Sequence, residues 1–248
     1  MVRLSSIVAV VVVLSVAGPH LESTSTAQQT IAAGKQKEVD RTTPLLNRMT
    51  AAQREHAKLF KHFRQGSRDR LLDRGLSLDI TRDFVSLSTS GRPAPEVLAE
   101  VACGADAVFA GEVISAETLP TEDGAFLFTD YQILLSEVFR ARPGIDISRG
   151  ETVVLSRPGG ETVVDGTRVA VTITGFRPLS SDASYVFAVQ YLRRTRSFWS
   201  ENSDGLFSLV DSRIKPTSAL GLSDQSAYVN GWDLPAVRES LRGGVSCR

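Results

Sequence analysis

The chain predicts a mainly β protein, a small barrel or sandwich, and three observations carry that prediction. Between Ala105 and Asp211, short β-like segments alternate with clusters of Gly, Pro, Asp and Ser. Within that run, Val169, Val171 and Ile173 alternate with Arg168, Ala170, Thr172 and Thr174, the period of a strand with one wet face. Gly111 interrupts the first strand, where a small barrel needs a bulge or a sharp bend.

The 248 residues are enough to bury a sizeable core. The formal net charge is zero, which gives the whole molecule no bias toward nucleic acid. The charge is unevenly spread: residues 28–75 hold 11 Lys and Arg against 5 Asp and Glu, and residues 77–248 hold 16 against 22. A basic arm therefore precedes an acidic body.

The N-terminus reads as a secretory leader over residues 1–27. Arg3 is followed by the apolar run Ile7 to Ala17, and Ser25 and Ala27 occupy the small-residue positions before a cut at Gln28; an earlier cut near Gly18 competes. The run is shorter than the roughly 20 residues a membrane-spanning helix needs. An exported protein, periplasmic or secreted, is the expectation. Cys103 and Cys247 are the only cysteines, and export favours pairing them in one disulfide, worth roughly 4 to 5 kcal/mol by loop entropy. The alternatives are two buried thiols or a bridge to another chain.

In chain order, residues 28–75 form the arm. Thr43 and Pro44 can open a helix in which Leu45, Met49, Ala52, His56, Leu59 and Phe63 share a stripe, and Thr50 with Gln53 fits a capping box that would break it. Gly66 can end it. The stripe either docks on the acidic body or, through Leu59, Phe60 and Phe63, touches a membrane surface. Residues 76–94 read as an extended segment and a linker, and residues 95–248 as the β domain. That domain opens with a short helix from Pro95 to Ala102, with Gly104 past its end. Strands are expected over Ala105 to Ser115, with Phe109 and Val113 opposite Val108, Ala110 and Ile114; over Phe126 to Phe139; and over Thr152 to Arg157. Glu161 to Val164 and Thr167 to Thr174 flank the hairpin signal Asp165-Gly166. Ser184 to Tyr191 is apolar on both faces and so central in the sheet, and Leu206 to Asp211 follows the turn at Asn202 to Gly205. A last helix near Leu234 to Leu241 has Asp233 as its cap and Pro235 in its first turn.

No phosphate loop, zinc-protease helix or nucleophile elbow occurs. His56 and His62 are six apart, a spacing that does not share one metal on a helix face. Glu112, Asp130, Glu137 and Asp165 sit where outward faces or turns want charge, so no catalytic, cofactor or metal residues are nominated. The one candidate ligand-contact patch is Arg193, Arg194, Arg196, Phe198 and Trp199, a basic and aromatic loop set against the blander reading of Arg stems lying over barrel-end aromatics.

The segment Cys103 to Val113, with Phe128 to Tyr131, Ser136 to Phe139, a Gly-Gly turn, Tyr185 to Val189 and Gly205 to Phe207, resembles a group of uncharacterised exported bacterial proteins. More distantly it is similar to netrin-like modules, the OB-type barrels that include tissue inhibitors of metalloproteinases. The resemblance covers roughly Cys103 to Lys215. It implies a closed or partly open OB-like Greek-key barrel, here with an N-terminal amphipathic helical arm and short flanking helices. In the inhibitors an N-terminal Cys chelates the target's zinc; Cys103 would need cleavage just before it to act so. The expectation is an exported, non-catalytic binding or interaction protein whose partner is a protein, glycan or envelope surface. A metalloproteinase-inhibitor-like protein and a carboxylate-based hydrolase are the alternatives.

Overall fold

The computed structural model describes residues 45–61, 77–80, 94–164, 166–173, 176–200, 205–217 and 230–242. The leader, Pro44, His62, Phe63, Gly66, Asp165 and Cys247 lie outside the described residues. The elements in order are α1 (Ala51–Leu59), β1 (Ser77–Ile80), α2 (Ala94–Gly104), β2 (Ala107–Pro120), β3 (Leu127–Ala141), β4 (Thr152–Pro158), β5 (Gly160–Val164) and β6 (Thr167–Ile173). They continue with β7 (Ser184–Leu192), β8 (Ser197–Trp199), β9 (Leu206–Val210), β10 (Arg213–Pro216) and α3 (Leu234–Arg242).

Strands β2, β3 and β4 form an antiparallel meander. β4 pairs in parallel with β8, β8 pairs antiparallel with β7, and β7 returns antiparallel to β2. This circuit closes a five-stranded barrel with the OB connectivity. β9 and β10 extend the sheet outward from β7, so β7 is central, as its apolar residues on both faces require. Between the third and fourth barrel strands the chain inserts the β5–β6 hairpin, and β1 adds to the free edge of β6 in parallel. Gly166 turns that hairpin with a φ of 74°.

The bulge expected at Gly111 is present: the β2–β3 register shifts between Ala110 and Gly111. A Cβ at Gly111 would lie 2.6 Å from Ile133 Cγ2 and 2.7 Å from the Leu134 carbonyl oxygen, so the two strands approach as closely as they do only because none is there. Strand β2 runs on to Pro120, beyond the expected end at Ser115. Its exposed Ser115, Ala116 and Glu117 carry no hydrophobic alternation, but each residue from Ser115 to Pro120 pairs with β3.

The apolar side chains gather in three clusters. Phe109, Val113, Tyr131, Ile133, Leu135, Leu155, Phe187 and Phe198 fill the barrel. Val108, Ala110, Val186, Phe207 and Ile214 cover the opposite flank with α2 and α3. Met49, Ala57 and Phe60 pack onto Phe126, Phe128 and the inner residues of the β5–β6 hairpin. The two faces of β2 thus serve two cores, with Phe109 and Val113 opposite Val108 and Ala110 as the alternation predicts. Two of the expected caps form: Thr50 and Gln53 make a reciprocal capping box on α1, and Asp233 accepts from the Ala236 N–H at the start of α3; Thr43 lies outside the described residues.

Candidate functional site

Helix α1 delivers His56 into the barrel wall. Its Nδ1 lies 2.9 Å from Asp130 Oδ2 on β3, and its Nε2 lies 2.7 Å from Ser197 Oγ on β8. Thr195 Oγ1 is 2.6 Å from the same Ser197 Oγ. One arrangement of hydrogens satisfies the chain: Thr195 donates to Ser197, Ser197 donates to Nε2, and the Nδ1–H donates to Asp130. The order is that of a Ser-His-Asp triad. The three side chains are sealed, however, with residue exposures of 1% for His56, 7% for Asp130 and 2% for Ser197. Asp130 Oδ1 and the neighbouring Ser156 Oγ, both buried, find no hydrogen-bond partner among the described residues.

This corrects two expectations. Asp130 does not sit on a solvated face; α1 covers that face and supplies an imidazole to the carboxylate. Phe60 is not available to a lipid surface either. It is fully buried, 5.6 Å between ring centroids from Phe128 and 6.4 Å from Phe126, while Leu59 is half-buried at the edge of the same cluster. The docking is reinforced at its rim by Gln53 to Glu117 at 2.7 Å, Arg194 to Glu55 at 3.1 Å and Lys61 to Glu122 at 3.4 Å.

The second buried polar group is Arg157, on β4. Strand alternation places it on the face of Val153 and Leu155, which are core residues. It is 2% exposed and lines a cavity of about 320 Å³ between the end of the barrel and the β5–β6 hairpin. Thr118, Thr129, Tyr131, Val171, Ile173 and Phe176 form the walls, and exposed Ala116, Glu161 and Arg177 stand at its rim. Arg157 Nη1 donates to the Arg177 carbonyl at 3.0 Å, and the guanidinium lies 5.0 Å from the centroid of the Phe176 ring. Nε and Nη2 have no hydrogen-bond partner among the described residues. Burial pushes the guanidinium below its ordinary pKa, opposed by the Tyr131 and Tyr185 hydroxyls.

Gly159 and Gly160 make room for this arrangement. Gly160 takes a φ of 133°, and a Cβ on it would lie 2.2 Å from Thr129 Oγ1 and 2.7 Å from Thr118 Oγ1. The two hydroxyls are 2.9 Å apart, and Thr129 donates to the Gly159 carbonyl at 2.8 Å. A second hollow, bordered by Ser136, Glu137, Val138, Arg149 and Arg238, offers less chemistry, because Arg238 already grips Glu137 through Nε at 2.7 Å and Nη2 at 2.6 Å.

The nominated basic and aromatic patch is divided. Arg193, Arg194 and Arg196 lie exposed in the turn between β7 and β8. Phe198 is fully buried inside the barrel, its ring 5.2 Å from both Phe109 and Tyr191, and Trp199 is half-buried on the other side of the strand. Ser197, Phe198 and Trp199 are the barrel's closing strand, so successive side chains point to opposite faces and Phe198 does not join the arginines. Cys103 stands in the last turn of α2, and its expected partner Cys247 lies outside the described residues. Among the described residues, no cluster of His, Cys, Asp and Glu could hold a metal ion.

The fold and the two buried groups define an OB-type barrel flanked by a docked helix and a hairpin-covered cavity. Compared with protein-family models and with curated proteins, the chain finds no match.

Proposed function

We propose that the protein is an exported, non-catalytic binding module that takes a small ligand in the cavity between its barrel and the β5–β6 hairpin. The observation that carries this is the cavity itself: about 320 Å³, apolar along most of its wall, with a few converging polar groups. That is the composition and the lower end of the size range of small-molecule sites. Absence of catalysis is supported by the sealing of Ser197 and His56, since a nucleophile must meet its substrate and neither side chain borders a described cavity. Among the described residues, Glu161 is the one carboxylate lining the binding cavity and is held by Arg168, so a two-carboxylate hydrolase gains no support there. A metalloproteinase inhibitor would need cleavage before Cys103, which would cut α2 between Ala102 and Cys103 and remove all but the last two residues of that helix. In this reading the leader is removed on export and Cys103 is bridged to Cys247, a bond that mass analysis of the mature chain before and after reduction would register.

The test is native mass spectrometry of the full mature chain purified from the envelope or medium. Wild type should carry a small-molecule adduct. Ala116→Trp, at the exposed rim of the cavity, should remove the adduct while leaving the melting temperature nearly unchanged. A bare wild-type mass, or an adduct that survives Ala116→Trp, would count against the cavity as the ligand site. Turnover of ester or glycoside substrates that is lost in Ser197→Ala would overturn the non-catalytic assignment.

A further inference from the structure

We infer that the cavity recognises an oxyanion, a carboxylate or phosphate group on a small apolar body, and that Arg157 is the residue that grips it. The inference rests on the cavity being the ligand site and adds the chemistry of the ligand.

The geometry comes from three arginines in one molecule. Arg168 holds Glu161 through Nε and Nη2, and Arg238 holds Glu137 through the same two nitrogens. That edge presents two parallel N–H donors matched to the two oxygens of a carboxylate or to two oxygens of a phosphate. In Arg157 the same edge has no partner among the described residues, and its two nitrogens are buried, closed to water as well. The remaining freedom of the guanidinium is restricted, with Nη1 fixed on the Arg177 carbonyl and the plane held near Phe176. Its donors are thus held in place beside the cavity, and a guest reaches them when the wall that closes over them shifts.

Charge leads to the same conclusion. A buried cation is costly unless paired, and among the described residues the groups that oppose the effect of burial on Arg157 are the phenols of Tyr131 and Tyr185. Glu161, the carboxylate at the rim, is already bonded to Arg168. A guest oxyanion would supply the missing counter-charge where the low dielectric makes the attraction strong. The rest of the wall sets the body of the guest. Val171, Ile173, Phe176 and Leu179 are apolar, and the volume equals about ten water molecules at roughly 30 Å³ each, so a single ring or a short alkyl chain fits.

The experiment is isothermal titration of the full mature chain with benzoate, its neutral counterpart benzamide, and phenyl phosphate. Wild type should bind at least one of the two anions, and benzamide should bind at least about thirtyfold more weakly than that anion, the lower limit for losing a buried charge-paired hydrogen bond. Whichever anion binds more tightly identifies the oxyanion as carboxylate or phosphoryl. Arg157→Met should bring the anion down to the level of benzamide, and Arg157→Lys should recover only part of the difference because it keeps the charge and loses the fork. If Arg157→Met does not fold, the anion and amide comparison in wild type, together with Arg157→Lys, still decides. Equal binding of anion and amide would overturn the oxyanion inference while leaving the cavity as a ligand site. No binding of any of the three probes at millimolar concentration would overturn the oxyanion inference, and the Ala116→Trp experiment would then decide separately whether the cavity binds at all.

Discussion

Asp130 is a carboxylate on a strand whose neighbours on the same face, Gln132 and Ser136, are polar, and it becomes buried only because α1 lies across it. Its partner His56 is 74 residues away in sequence, and Ser197 is 141 away from His56. A buried ion pair or charged hydrogen bond adds little net stability over an apolar pair, but removing one member strands the other. His56→Ala should therefore destabilise the fold by roughly 3 to 5 kcal/mol, leaving Asp130 without its donor. Asp130→Ala should cost less, since a neutral imidazole is easier to bury than a carboxylate. The double variant should cost clearly less than the sum, and urea unfolding of all four proteins measures the coupling. Additive losses would mean that the contact is not formed in solution.

At this scale the sequence was partly legible. His56 falls on the same helical stripe as Met49, which foretells burial but not what it meets. Arg157 follows Val153 and Leu155 at two-residue steps, so the strand period already places a cation among core residues. Asp130 gave the opposite signal, because alternation separates the faces of a strand without saying which face another element will cover. Phe198 stands beside the arginines in sequence, but strand geometry turns it inward.

At the scale of elements, α1 and the β5–β6 hairpin are each held by a local device that can be removed. The Thr50 side chain accepts from the Gln53 N–H at 3.2 Å while Gln53 accepts from the Thr50 N–H at 2.8 Å. Thr50→Ala should cost about 1 kcal/mol, read from the same urea transition. The hairpin carries the Glu161–Arg168 pair across its strands. The hydrogen bond from Arg168 holds the Glu161 carboxyl below its ordinary value of 4.5, and the charge of Arg168 acts in the same direction. A carboxyl depressed in the folded state stabilises fully above its unfolded value and loses that contribution as the pH falls through the folded one. The melting temperature of wild type should thus decline below about pH 4.5 in part through this pair, and Glu161→Gln should flatten that part of the profile. Because the pair is exposed, high salt should shrink the difference between the two proteins. The capping box and the Asp165-Gly166 hairpin were both visible in the sequence, because caps and tight turns are set by residues within a few positions of one another. The extension of β2 to Pro120 was not visible, because its pairing with β3 is a non-local ladder that polar residues can join.

Among the described residues, three apolar clusters lie against the seven-stranded sheet, and β2 and β3 contribute to all three. Leu119 and Phe128 belong to the cluster under α1, Phe109 and Ile133 to the barrel, and Val108, with the half-buried Phe139, to the flank under α2 and α3. Closure of the barrel by β8 also depends on the region α1 covers, since Ser197 both pairs with Leu192 on β7 and meets His56. Such sharing couples the clusters: loosening the packing under α1 removes support from the same strands that close the barrel. Phe60→Ala deletes a fully buried ring from the outermost of these clusters and should cost roughly 3 to 5 kcal/mol. If the clusters act together, the variant still melts in one transition, and far-ultraviolet and near-ultraviolet circular dichroism report the same midpoint. Hydrogen exchange should then accelerate in the central strand β7 as well as in α1, because opening of either passes through the global unfolded state. If α1 is instead a detachable cover, exchange will rise in α1 and at Asp130 while β7 keeps its protection, and the barrel will prove able to stand without its helix.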